Sequence, residues 1–503
     1  MSQREFLFLN QPGLLDEIGW DGPQREKLWR YNQHYFDDLN ARDENQRYGW
    51  HEGLIEDWVL RNPPGQGVGW DPYPTSLRIV NWIKWSLGGG RLSGAAIQGL
   101  AVQARWLSQR LEFYLLGNHL FANAKALVFA GLLFEGSEAD AWLKTGLEIL
   151  ADEIPEQILS DGGHFERSTM YHALALEDAL DLFNVMRCYE PSHSRSGLNA
   201  TGLAACKQSL ERRVPEMIQW LKAMQHQDGE IGFFNDAAFG VAPSSPELEG
   251  YAGRLGFSQP TVDDPLVYLQ HSGYVRLQSH DAVALVDVAP IGPDYLPGHA
   301  HADTLSFELS LGKQRVIVNG GTSVYGTGPE RQRQRSTRSH STLLVDRENS
   351  SEVWAGFRVA RRARVLECEV GEGELLWVSA AHDGYSRLSG RPMHRREWRL
   401  STGTFEVHDT VTGSGTHLID IFFHLGPGLI PRKDVDGRIQ LINEKSSLSV
   451  ASILASEHSA LCFEQTSWHP FFGRSVPTWS VIVRTRQTLP FKHQTDFEWN
   501  RGN

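Results

Sequence analysis

From about Gln24 to Arg254 the apolar residues recur at the spacing of one helix face, as in residues 75–87, 95–116, 123–134, 138–154 and 171–189. About seven to nine successive helices are expected over this stretch. The punctuation agrees with capping: Gly88, Gly89 and Gly90 follow one helix, Gly117 is expected to close another, and Ser137 with Glu138 and Asp140 to open the next. Short loops between such helices imply antiparallel neighbours, and a ring of helical hairpins gives the same pattern. After about His271 the chain changes to short alternating or β-branched runs such as GYVRLQ, AVALVDVA, TLSFELSL, QRVIVNGG, STLLVD, FEVHDTV, HLIDIFFHL and SVIVRT, separated by Gly, Asp, Asn and Ser turns. These predict a β-sandwich or stacked antiparallel sheets. The expected organisation is a helical domain over residues 1–255 followed by an antiparallel β domain over residues 256–503, with a linker near Gly240 to Pro265.

Composition adds limits. At 503 residues, 41% hydrophobic and 22% charged, the chain has the make-up of a globular protein with a large core. Its formal charge of -13 disfavours general binding to nucleic acid or anionic membranes, where affinity comes from releasing counterions. Cys188, Cys206, Cys368 and Cys462 are far apart, which suggests reduced core thiols rather than disulfides or a thiolate metal site. The longest apolar run, Ala126 to Phe134, is far short of a membrane span. With no export signal in the sequence as given, a cytoplasmic location is the literal expectation, and a periplasmic one requires a start upstream of Met1.

Three passages concentrate unusual chemistry. In LLGNHLFANAKAL, Asn118 and His119 stand where a helix begins, with Asn123 beyond them. Such groups serve either as caps or as a receptor for a carboxylate. In SDGGHFERSTMYHALALEDAL a Gly-rich turn bearing His164, Glu166 and Arg167 runs into a helix opening near Ser168 to Tyr171, so Tyr171 and His172 fall in its first turn. An aromatic there either packs or takes part in chemistry. In LPGHAHADTLSFELSL, His299 and His301 are two apart and share a face if the segment is extended. With His340 further on and Asp303 and Asn319 near in sequence, they suit a metal or proton-transfer site, or are surface residues.

The segment from Arg331 to Arg364 holds nine Arg, no Lys and three acids, a formal +6 that leaves -19 for the rest of the chain. Arginine suits bidentate recognition of carboxylates or sulfates; the alternative is a solvated basic strand face. The stretch lacks the interleaved aromatics that stack nucleic-acid bases. Trp70, Trp82, Trp85 and Trp354 suit either sugar stacking or the core.

On these passages the chain resembles the heparinase II/III family of polysaccharide lyases. The motifs that carry the likeness are YPTSLRIVNWIKW, GNHLFANAKALVFAG, DGGHFERSTMYHALALED, HAHADTLSFEL and RSHSTLLVD. More narrowly, it is similar to members encoded with bacterial surface-polysaccharide assembly genes. The resemblance implies an incomplete (α/α) toroid followed by antiparallel β-sheets, and a carbon–oxygen lyase that cleaves a uronate-containing acidic polysaccharide by β-elimination. It implies that Asn118 and His119 neutralise the uronate carboxylate, that Tyr171 is the catalytic acid and, for one C5 epimer, also the base, and that His299 is the alternative base. Glu166, Arg167, His172, Arg335 and Arg338 are the expected substrate-binding residues. His301 and His340 match positions that hold zinc in some relatives, but the expected acidic ligand is replaced by Asn319; no cofactor is otherwise required. Two other functions fit the same residues. A glycoside hydrolase would draw paired carboxylates from Asp161, Glu166 and Glu177, and a non-catalytic glycan-binding or assembly protein would keep the fold without turnover.

Overall fold

The computed structural model describes residues 4–189, 198–456 and 460–500. After a short ribbon of Glu5–Phe8 with Gln11–Leu14, nine α-helices among the described residues occupy Lys27 to Leu255. None of them is long and apolar enough to cross a membrane. The expected linker contains the last helix, Ser245–Leu255, opened by a capping box between Ser244 and Glu247.

By packing, the chain divides into two units. One is Met1–Gln157 with Glu177–Val214, and the other is Ile158–Leu176 with Pro215–Asn503. The division therefore runs through the helices Thr169–Tyr189 and Leu198–Ala223, whereas the change from helix to strand along the chain falls between Leu255 and Leu266.

In the first unit, helix Gly117–Leu133 is apolar on most sides and correspondingly buried from Leu120 to Leu132. It packs so closely on helix Ser137–Gln157 that a Cβ on Gly146 would lie 2.8 Å from the Ala124 carbonyl oxygen. Gly117 opens this helix instead of closing the one before. Leu116 and Gly117 both have positive φ, at 60° and 56°, and this left-handed pair redirects the chain into the helix. The preceding helix stops at Ser108, not near Leu116, which leaves Phe113, Tyr114 and Leu115 exposed while Glu112 turns inward. Trp70, Trp82 and Trp85 are core residues, and the buried Arg78 guanidinium lies 3.8 Å from the Trp58 ring centroid.

A charged cluster lies in the same unit. Lys125 Nζ donates to Asp178 and Asp181 at 2.7 Å each, and Lys84 Nζ donates to Asp181 at 2.9 Å. The Glu177 carboxyl is pushed up to about 7, chiefly by burial and further by the Asp181 charge, with Lys84 and Lys125 opposing. A carboxyl raised in the folded state holds its proton more tightly there than in the unfolded chain, so stability falls as pH rises from 4.5 to about 7. Glu177→Gln is expected to flatten that part of the curve of urea midpoint against pH; an unchanged slope would remove Glu177 as its source.

The second unit is built on two antiparallel sheets. In the eight-stranded sheet the order is Val365–Gly371, Leu376–His382, Met393–Ser401, Thr404–Thr412, Phe491–Glu498, Ser449–Ala455, Ile439–Asn443 and Leu429–Lys433. In the nine-stranded sheet it is Ala460–Phe471, Arg474–Thr488, Thr416–Leu425, Gln314–Val318, Phe307–Leu311, Ala282–Asp287, Tyr274–Gln278 and Leu266–Leu269, and Leu343–Val345 also pairs with Thr416–Leu425. Residues of both sheets, among them Val275, Leu277, Phe307, Phe423, Trp398, Phe405 and Phe497, form one buried core, so this is a sandwich. The outer face of the nine-stranded sheet is covered as well: Tyr274, Val283 and Leu285 pack with Trp220, Met224 and Phe234. With both faces covered, strand Ala282–Asp287 is buried along its whole length and reads as a continuous apolar run.

Candidate active site

Tyr171 and His299 meet in the second unit. Ser168 starts the arrangement: its Oγ accepts the Tyr171 backbone N–H at 3.1 Å, as a helix cap does, and donates to the Asp236 carbonyl at 2.5 Å. The Tyr171 ring is stacked on His299 with centroids 3.9 Å apart, and its hydroxyl lies 3.0 Å from the Tyr325 hydroxyl. The loop bearing His299 is pinned by its neighbour, since the Asp236 N–H donates to the His299 carbonyl at 3.0 Å and the His301 N–H to Asn235 Oδ1 at 2.9 Å. Asn235 has φ 57°, a left-handed conformation that Asn tolerates better than most residues.

Asp236 is the hub. Its fully buried carboxylate meets His299 Nδ1 at 2.9 Å and His301 Nε2 at 2.8 Å, accepts from Thr322 Oγ1 at 3.1 Å, and takes two bonds from Arg331, one of them 2.7 Å from Nη2. Burial alone would raise this carboxyl, but the Arg331 charge and the bonds from His299, His301 and Arg331 hold it well below the usual carboxylate range. An ionised carboxylate can only accept, so the hydrogen on the His299 side of the contact belongs to Nδ1. The other ring nitrogen, Nε2, is 3.6 Å from the buried Glu166 Oε2. Burial first, and the Asp236 charge second, push the Tyr325 phenol well above its ordinary value, so it keeps its proton and can donate to Tyr171.

His299 and His301 do not lie on a strand; they sit in the loop before Phe307–Leu311 and converge because each reaches one oxygen of Asp236. His301 Nδ1 faces His340 Nε2 at 3.0 Å, and His340 Nδ1 donates to the Ser336 carbonyl at 2.8 Å. Asn319 is fully engaged elsewhere: its Oδ1 accepts from the Ser341 N–H, and its Nδ2 donates to the Phe233 carbonyl and to Ser306 Oγ. Among the described residues no group of three or more His, Cys, Asp or Glu could hold a metal ion. Two imidazoles without a third ligand do not fit a zinc centre.

The other candidates are dispersed. His172 is buried, with its ring centroid 4.2 Å from that of Trp220 and its Nε2 2.9 Å from the Met217 carbonyl; burial lowers its imidazole to about 4. It is a core residue, one turn-face away from Tyr171. Arg167 donates to the Ser272 and Phe165 carbonyls. Arg335 is buried and donates to the carbonyls of Ala300, Trp354, Ala355 and Arg358, so its guanidinium is occupied by backbone. Arg338 pairs with Glu464 and lines, with Arg347 and Arg484, a different cleft of about 450 Å³. The Arg-rich segment is therefore not one basic wall: Arg333, Arg361 and Arg362 pair with Glu330, Glu352 and Asp294. Asp161 accepts from Ser272 and Gly163, which makes it a turn residue.

Asn118 and His119 belong to the first unit and form their own cluster. His119 Nδ1 is 3.1 Å from Glu112 Oε1, and its ring lies 4.4 Å from the Tyr73 ring, centroid to centroid. Asn118 hydrogen-bonds the Tyr73 hydroxyl. Asn123 braces Glu112 by accepting its N–H at 2.9 Å and donating to Oε2 at 3.0 Å.

Asp236 and Tyr325 are site residues that the sequence does not mark, and Arg331 is marked only as one end of the Arg-rich segment. The signal at Asp236 is an acid within the apolar and small residues of GFFNDAAFG.

The family model for the heparinase II/III N-terminus matches residues 96–237, and that for the heparinase II/III-like C-terminal region matches residues 261–500. A heparin-sulfate lyase of Bacteroides stercoris is 39% identical over 342 residues, which is 64% of this chain and 47% of that protein. One of Pedobacter heparinus is 29% identical over 258 residues, 46% of this chain and 36% of that protein. The chain thus spans half or less of the length of these curated relatives. The crystal structure of a heparan sulfate lyase mutant from Pedobacter heparinus superposes with a TM-score of 0.66 at 20% identity, covering 99% of this chain and 82% of that one. At that identity the likeness is one of fold.

Proposed function

Because the chain belongs to the heparinase II/III-like family, we propose that it is a polysaccharide lyase that cleaves a uronate-containing acidic polysaccharide by β-elimination. The observation that carries this reading is the Tyr171–His299 pair with His299 oriented by Asp236. In such a reaction a base removes the C5 proton, the electron pair forms the C4–C5 double bond, the C4–O4 bond breaks, and the departing O4 takes a proton from an acid. We assign the acid to Tyr171, and the base to His299 Nε2 or, for the other C5 epimer, to Tyr171 itself. The C5 proton becomes labile when charge developing on the neighbouring carboxylate is stabilised, the role that the family resemblance gives to Asn118 and His119. Glu166, buried beside His299 Nε2, would orient the imidazole and favour its protonated form after the C5 proton has moved.

The test is incubation with a panel of uronate polymers, followed by ultraviolet absorbance and mass analysis of products. An unsaturated uronate end supports the reading. A saturated product with a new reducing end would assign hydrolysis instead, and binding without cleavage of any polymer would assign a glycan-binding protein.

Tyr325→Phe removes the hydroxyl beside Tyr171. A hydrogen bond to a group that carries charge contributes about 1.5–3 kcal/mol, so kcat is expected to fall about ten- to a hundredfold. Unchanged kcat would show that the Tyr325 hydroxyl does not support Tyr171 during turnover.

A further inference from the structure

We infer that the hairpin Val353–Val359 is a sugar-binding element, with Phe357 as the platform for the pyranose ring adjoining the cleaved bond and Arg358 as the contact for an anionic group on the same glycan; this rests on the lyase reading above. Phe357 is 41% exposed, yet its ring centroid is 6.1 Å from His299 and 5.2 Å from Tyr325. It is therefore the solvent-facing continuation of the reacting cluster. Trp354, 55% exposed, stands on the paired strand opposite Arg358. Arg358 is exposed and has no carboxylate partner among the described residues, unlike its neighbours Arg361 and Arg362.

The hairpin is held with more care than its size would predict. A ribbon of two residues per strand does not hold itself together, and here two fully buried arginines bind it from beneath. Arg331 Nε donates to the Gly356 carbonyl at 3.0 Å, while Arg335 donates to the carbonyls of Trp354, Ala355 and Arg358 at 3.3–3.4 Å. Gly356 fits so tightly that a Cβ there would lie 2.4 Å from the Gly326 carbonyl oxygen. Burying guanidinium groups is expensive, and the result is a fixed backbone that points two aromatic rings and one free cation at solvent. Because Arg331 also binds Asp236, one guanidinium fixes both the hairpin and His299. The negative face of an aromatic ring attracts the polarised C–H groups of a pyranose, and a free guanidinium suits its carboxylate or sulfate.

The experiment combines turnover with affinity electrophoresis in gels containing heparan sulfate or polygalacturonate, using the full chain and the variants Phe357→Ala, Phe357→Tyr and Arg358→Ser. For the polymer that is cleaved, Phe357→Ala is expected to raise KM roughly tenfold with a much smaller change in kcat, and Phe357→Tyr to restore it. Arg358→Ser is expected to raise KM and flatten its dependence on ionic strength. Unchanged KM and unchanged gel retardation in Phe357→Ala, with its unfolding midpoint at the wild-type value, overturn the hairpin proposal and leave the lyase reading intact. Wild-type retardation without an unsaturated product overturns the lyase reading, and the hairpin is then judged on loss of retardation alone. A wild-type protein that neither binds nor cleaves any uronate polymer overturns both.

Discussion

Tyr171→Phe is expected to lower kcat on the cleaved polysaccharide by about 10²–10⁴-fold, the usual contribution of a positioned proton donor or acceptor. The substitution removes one oxygen and keeps the ring that stacks on His299, so the shape of the site is preserved. On the proposed mechanism, what is lost is the proton for O4. Since a poor leaving group gains most from protonation as the bond breaks, the loss belongs in kcat and not in KM. The measurement is the rate of ultraviolet absorbance increase, with far-ultraviolet circular dichroism and a urea midpoint to show an intact fold. Full retention of activity would remove Tyr171 from the mechanism and transfer the acid role to another group near His299, with Glu166 the first to test.

Asp236→Ala is expected to cost about 3–5 kcal/mol of stability, because it leaves the buried Arg331 guanidinium without its carboxylate. Activity should fall even in the folded fraction, as the His299 ring loses the partner of its Nδ1. A second variant separates the two effects. Asp236→Leu combined with Arg331→Met removes both charges, so it is expected to recover part of the stability without recovering turnover. Equilibrium denaturation gives the first quantity and kcat the second. A single variant that loses less than about 1 kcal/mol would show that this ion pair is not the clamp of the site.

The two secondary-structure regimes were legible in the sequence because burial imposes a period. The helical spacing of residues 75–87 and the run AVALVDVA each became the element they predict. Residues 109–116 misled for a physical reason: their apolar pattern continues the helix, but Glu112 leaves it to meet His119 and Asn123. Tyr171 lies in a first helical turn, as its sequence context predicts, but the strand face expected to carry His299 and His301 does not form: both lie in a loop and meet through the two oxygens of Asp236. What could not be read was the use made of arginine. Nine arginines in a row of residues look like one surface, but Arg331 and Arg335 face inward to Asp236 and to backbone carbonyls, because the contacts that neutralise them come from residues about 20 to 95 positions away.

Asp236 also bears on how related sequences are to be compared. Its carboxylate is required by the fold as well as by His299, so selection for a folded chain alone would preserve it in a descendant that had lost activity. Tyr171 and Phe357 carry no such double obligation, and they are the positions at which an inactive or retargeted descendant is expected to differ first. A relative that keeps Asp236 but not Tyr171 is therefore expected to be folded and silent, whereas one that keeps Tyr171 and His299 but changes Phe357 is expected to cut a different glycan.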